Sequence, residues 1–141
     1  MIEAGMIEVV NRQRKRKIDT EAWETFAARG ADAIGHSDSS ATIAFVSDKT
    51  IRQLNRQFRG VDKATDVLSF PADDADESNL GDVAISVETA AAQAKENGLT
   101  FDEEVAQLIL HGLLHLSGYD HDTDNGEMNR LELRLRKKLG I

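Results

Sequence analysis

Three of the four histidines of this chain, His111, His115 and His121, fall within eleven residues. His111 and His115 stand four apart in an apolar run. On a helix both imidazoles then leave from one face and can reach one ion. Gly118 follows; a glycine there can take a positive φ and turn the chain sharply, letting His121 return as a third ligand. Three neutral imidazoles plus a water form an open zinc site of the catalytic kind. Zinc lowers the pKa of such a water to about 7. Clustered histidines in an apolar segment without a cation would face desolvation and mutual repulsion. The expectation is therefore one zinc ion held by His111, His115 and His121, although nickel, copper and cobalt accept the same donors. His36 lies alone in a polar stretch and is given no part.

The spacing H-x3-H-x2-G-x2-H resembles the long zinc motif of the metzincin proteases, with one departure. Those enzymes carry a Glu directly after the first His as general base. Here that position is Gly112, which cannot accept a proton from an attacking water, so peptide hydrolysis by that route is disfavoured. A second group of residues suits a different substrate. Arg52, Arg56 and Arg59 fall within about 60° of one another on a helix. A guanidinium grips phosphate bidentately and cannot lose its proton. No general base is evident. Asp120 and Asp122 flank His121, and Asp66 and Asp82 lie near expected strand ends; carboxylates so placed more commonly orient a ligand imidazole.

The run HGLLHLSGYDHD, residues 111–122, resembles the signature of the YbeY family, bacterial rRNA maturation factors and metal-dependent endoribonucleases. The segment LNRQFR, followed by Asp62 and then TDVLSFP up to Pro71, is similar to the family's LNxxFRxxDxxTDVLSFP block. Gly81, Asp82 and Val83 are similar to its G-D-[IV] strand. The blocks occur in the family's order and cover residues 40–138; the first forty residues match in general layout only. The resemblance implies a small mixed sheet packed with helices, and zinc on the helix that carries H-x3-H. His111, His115 and His121 would be its ligands, and Arg59 an essential residue facing the metal cleft. The implied activity is cleavage of single-stranded RNA, in 16S rRNA 3′-end maturation and quality control of late ribosomal particles. Arg56 and Arg52 would extend the cationic path from Arg59. Two rival readings remain: a ribosome-assembly factor with a structural zinc, and a metzincin-like hydrolase.

The elements that must position these residues are short. The chain has 141 residues, 40% of them apolar and 30% charged, which suits one folded domain over 1–141 and excludes a disordered or collagen-like chain. With no cysteine, a disulfide scaffold, an iron–sulfur site and a cysteine nucleophile are excluded, and a reducing cytoplasm is the expected compartment. The first ten residues contain Glu3 and Glu8 and do not read as a secretory signal. The apolar run 108–116 is about half of what a bilayer crossing needs, so no membrane partner is expected, and no DNA. The net charge of −8 is uneven. Residues 72–127 hold 14 acidic side chains against the single base Lys95, and the other residues carry a surplus of bases. Basic faces at 12–17, on the arginine trio and at 130–138 keep RNA open as a partner despite the acidic balance.

The fold class expected is α+β: a small mixed four-stranded sheet with about five helices, one of them a metzincin-like metal helix. Strands are predicted over 7–11, 41–47, 67–70 and 82–87. Helices are predicted from Thr20 to Gly30; from Ser47 to Gly60 with Ile51, Leu54 and Phe58 inward; over 88–97; from a Thr100/Glu103 capping box to Gly118; and after Asp124, with Met128, Leu131, Leu135 and Leu139 inward. Residues 72–79 read as an exposed acidic loop, and Pro71 as the end of an edge strand. Tyr119 suits packing over the metal helix as well as it suits a base. Aromatic residues are only 5% of the chain, so no stacking platform for RNA is evident.

Overall fold

A computed structural model describes residues 6–72, 78–119 and 125–141. His121, Asp120, Asp122 and residues 73–77 of the acidic loop lie outside the described residues. The elements run β1 (Ile7–Asn11), α1 (Thr20–Ile34), β2 (Ser40–Val46), α2 (Asp48–Arg59), β3 (Val67–Pro71), β4 (Asn79–Ser86), α3 (Val87–Asn97), α4 (Phe101–Leu116) and α5 (Glu127–Leu139). The sheet order is β1-β2-β4-β3, with β1, β2 and β4 parallel and β3 antiparallel to β4. This is the α+β arrangement of a four-stranded mixed sheet and five helices expected from the sequence. Among the described residues no helix is long and apolar enough to cross a membrane.

Strand alternation divides the helices between the two faces of the sheet. Ile43 and Phe45 of β2 and Val83 and Ile85 of β4 share one cluster with Ala27 and Ala31 of α1 and Val105, Ile109 and Leu113 of α4. Val46, Leu68 and Ala84 point the other way and cluster with Ile51 of α2. The sheet therefore separates α2 from α4. Behind α4, Leu110 and Leu114 pack on Met128 and Leu135 of α5. Buried from both sides, α4 keeps little freedom. From Glu104 to Leu116 only Gln107, His111 and His115 escape full burial.

Two helix ends differ from expectation. The first helix does not stop at Gly30 but runs to Ile34, capped by Asp19 at its start and by Gly35 at its end. A Cβ at Gly30 would come 3.3 Å from the Leu113 Cδ1. The missing side chain thus serves the close approach of α1 and α4, not a stop. Helix α4 ends at Leu116, two residues before Gly118, whose φ is +99°. Its start is as predicted: the Thr100 hydroxyl accepts from the Glu103 N–H at 3.1 Å and the Glu103 carboxylate accepts from the Thr100 N–H at 2.9 Å. These bonds hold the Glu103 carboxyl below its usual range. The basic stretch 12–17 is partly used by the protein itself. Arg16 lies over the Phe101 ring, 3.9 Å from its centroid, and Lys15 pairs with Glu88 at 3.3 Å.

Candidate metal centre and the cationic helix

One polar stripe remains on the buried helix α4, and it carries the histidines. Their Nε2 atoms face each other 3.0 Å apart, with ring centroids 4.6 Å apart. Two nitrogens each at about 2.0–2.1 Å from one tetrahedral ion would be separated by about 3.3 Å. The pair stands within a few tenths of an ångström of that spacing.

The proton on His111 has a definite place. Its Nδ1 lies 2.8 Å from Oε1 of Glu132 on α5. An ionised carboxylate only accepts, so Nδ1–H is the donor, and in neutral His111 Nε2 is then the bare lone pair. A carboxylate behind an imidazole is the usual support of a metal ligand. The donor set therefore fits an ion. Among the described residues no third His, Asp or Glu completes a group with the pair; His121, the expected third ligand, lies outside them.

The sequence points to Asp66, Asp82, Asp120 and Asp122 for this role, and the structure gives it to Glu132. A signal was present: Glu132 sits four residues after Met128 and three before Leu135, on the apolar side of α5, and it is buried. Its Oε2 lies 3.4 Å from Nη2 of Arg136. Asp66 is used locally, accepting from the Val67 N–H at 2.8 Å, and Asp82 is exposed. Asp66, Glu104, Gln107, His111, Glu132 and Arg136 line a cleft of about 160 Å³. Three carboxylates and the one guanidinium of Arg136 thus face that cleft, a balance of charge that does not favour a phosphate chain.

Gly112 has a structural reason. A Cβ at that position would lie 2.9 Å from the Val83 Cγ1 and 3.5 Å from the Ser69 Oγ. The residue therefore faces the sheet and not the histidine cleft. A general-base Glu in the metzincin position has neither room nor direction here. Tyr119 packs with the Leu110, Leu114 and Met128 cluster, which is the packing alternative expected for it.

The arginines lie elsewhere. Helix α2, capped by Ser47 and Gly60, covers the face of the sheet opposite α4. Among the described residues no hydrogen bond or ion pair joins an α2 arginine to either histidine. Arg52 forms a side-on pair with Asp62, Nε to Oδ1 at 2.9 Å and Nη2 to Oδ2 at 3.2 Å. This hydrogen bond raises the Arg52 pKa and holds the Asp62 carboxyl low, with the Arg52 and Arg56 charges acting behind it. Arg52 and Arg56 line an open groove of about 680 Å³ with Lys49, Gln53, Gln57 and Asp62. Arg59 ends the helix next to Gly60. The link between the two faces is the edge strand β3. Ser69 puts its Oγ 3.5 Å from the Gly112 carbonyl oxygen on the α4 side. Phe70 puts its ring 5.2 Å from Phe58 on the α2 side.

Residues 8–140 match the family model described as endoribonuclease YbeY. A protein of that name from Nautilia profundicola is 49% identical over 105 residues, covering 74% of this chain and 76% of the relative. Another, from Koribacter versatilis, is 44% identical over 133 residues, covering 94% and 86%. The solution structure of a Thermotoga maritima protein is similar, with a TM-score of 0.68 and 27% identity over 95% of this chain and 89% of the other. The chain belongs to the YbeY family.

Proposed function

We propose that the protein is a metal-dependent endoribonuclease that cuts single-stranded RNA, acting in the cytoplasm on 16S rRNA 3′ ends and late ribosomal particles. The observation that carries this reading is the pair of facing Nε2 atoms of His111 and His115, 3.0 Å apart, in a chain whose relatives bear the name endoribonuclease. The residues that would hold the ion, one zinc, are His111, His115 and His121. When bound, zinc supplies a Lewis acid for a phosphate oxygen or for acidifying water.

The chain's own residues define the rest. Glu132 keeps the proton on Nδ1 of His111, so that Nε2 faces the ion site as a lone pair. The charge balance of the cleft does not favour the RNA backbone, so cations must draw it in from beyond β3. Arg59, at the end of α2 nearest that edge, is assigned to grip the phosphate and to stabilise the charge that develops on it. Arg56 extends the path, and Arg52 joins it only by releasing Asp62. Gly112 faces Val83, which disfavours the peptidase reading.

The test is cleavage of a single-stranded 16S rRNA 3′-end substrate by wild type, His115→Ala and Arg59→Ala, with metal content measured on each preparation. Wild type is expected to cut. His115→Ala is expected to lose metal and cutting together, and Arg59→Ala to keep metal but stop cutting. Equal cutting by all three would mark a contaminant and leave a metal-stabilised assembly factor as the better description.

A further inference from the structure

The apolar stripe of α2 runs past the sheet it packs against. Ile51 is fully buried, but Phe58, two turns later on the same stripe, is 60% exposed. Its place in the sequence predicts an inward side chain. The tertiary structure instead brings the last turn of α2 to the edge strand, where, among the described residues, one ring meets it. Phe70 of β3 approaches Phe58 at 5.2 Å between centroids and 66° between planes. That edge-on contact braces the Phe58 ring without covering both its faces.

Cations stand on the neighbouring faces of the helix: Arg59, the next residue, leaves α2 about 100° round from Phe58, and Arg56 leaves it on the side away from the ring. Neither side chain is in an ion pair among the described residues, whereas Arg52 is held by Asp62. A braced, exposed aromatic ring on a helix that also carries arginines without an ion pair suits single-stranded nucleic acid: cations follow the backbone and the ring takes an unpaired base. A duplex keeps its bases stacked on one another and offers this ring nothing comparable. The position also fits a strand that turns the edge of the sheet. Phe70 contacts Phe58 on one face of β3, while its neighbour Ser69 touches α4 at Gly112, next to His111, on the other.

We propose that Phe58 is a base-stacking residue, which holds one unpaired base of a single-stranded RNA against the end of α2 while Arg59 holds the adjoining phosphate and Arg56 a phosphate further along the strand. This rests on the endoribonuclease reading and adds to it a base site at the edge of the sheet, next to the phosphate that Arg59 is assigned to grip. Because every base has a π-face, the contact is tolerant of sequence. It positions the strand and does no chemistry.

The experiment measures binding of a fluorescent single-stranded RNA to protein carrying His115→Ala, so that the strand stays whole, across a series of salt concentrations. Phe58→Ala and Phe58→Leu are each expected to weaken binding about 5- to 150-fold. Phe58→Trp is expected to bind at least as well as Phe58. None of the three should change the salt dependence, since no phosphate contact is lost. Arg56→Ala should instead reduce the slope of log affinity against log salt by about 0.7 for one phosphate. Phe58→Leu keeps an apolar contact for Phe70 and removes only the π-face, and thermal melting of each variant separates stacking from folding. Affinity unchanged in Phe58→Ala overturns the proposal. So does an equal loss in the Leu and Trp variants, which would give Phe58 a packing role or a protein partner. If the parent protein binds RNA with a normal salt slope while Phe58→Ala is silent, stacking alone fails. If the parent neither binds nor, with His115 restored, cuts RNA, the functional reading fails with it.

Discussion

Replacing Glu132 should weaken metal binding at His111 at least as much as it weakens the fold. The Glu132 side chain is 7% exposed and its Oε1 accepts a hydrogen bond from the His111 Nδ1–H at 2.8 Å. Without that carboxylate the imidazole can rotate or shift its proton to Nε2, where it blocks the lone pair an ion needs. Loss of such a supporting partner costs about 10- to 100-fold in metal affinity, or about 1.4–2.7 kcal/mol. The effect on folding is smaller because two contributions oppose each other. The hydrogen bond to His111 is lost, but so is the penalty of burying a carboxylate. Arg136, a further partner at 3.4 Å, has a side chain 30% exposed, so the end of its guanidinium can reach water while Nε stays buried. The metal-free Glu132→Ala protein should therefore lose about 1–2 kcal/mol at most. Chelator competition at fixed pH reads the affinity, and urea unfolding of the metal-free proteins reads the stability. Glu132→Gln should fall between wild type and Ala, since its amide oxygen still accepts from Nδ1–H. Wild-type affinity in Glu132→Ala would refute the assignment of the proton on His111. A fold weakened by more than the metal site would refute the balance drawn here.

Two further outcomes follow from other contacts. Gly112→Ala places a Cβ 2.9 Å from the Val83 Cγ1 and should cost about 1–3 kcal/mol in urea unfolding; Gly112→Glu should unfold the protein or leave it without peptidase activity. Asp62→Asn frees the Arg52 guanidinium and should steepen the salt dependence of single-stranded RNA binding by about 0.7 in slope. In the native protein the Asp62 carboxyl titrates below its usual value, so its contribution to stability is complete above about pH 3.9 and fades as the pH falls through the lowered folded value. Carboxyl titration by NMR, with Arg52→Ala as control, checks that direction.

Much of this molecule could be read locally. The capping box at Thr100 and Glu103, the Ser47 cap and Gly60 stop of α2, and the strand that ends at Pro71 each depend on a few consecutive residues. So does the pairing of His111 with His115, which needs only helical spacing. Other features needed the whole fold. Gly30 and Gly112 read as a stop and as a missing base, but both mark close approaches of α4, to α1 and to the sheet. Phe58 read as core until the edge of the sheet left it exposed. Glu132 lies 21 residues from His111, and no local pattern pairs them. The arginine stripe is plain in the sequence, yet its place across the sheet from the histidines is set by which way alternate residues of β2 and β4 point. Spacing fixes the direction of side chains within one element because backbone geometry repeats over a few residues. Which element lies opposite is decided by the burial of apolar faces, a property of the folded chain as a whole.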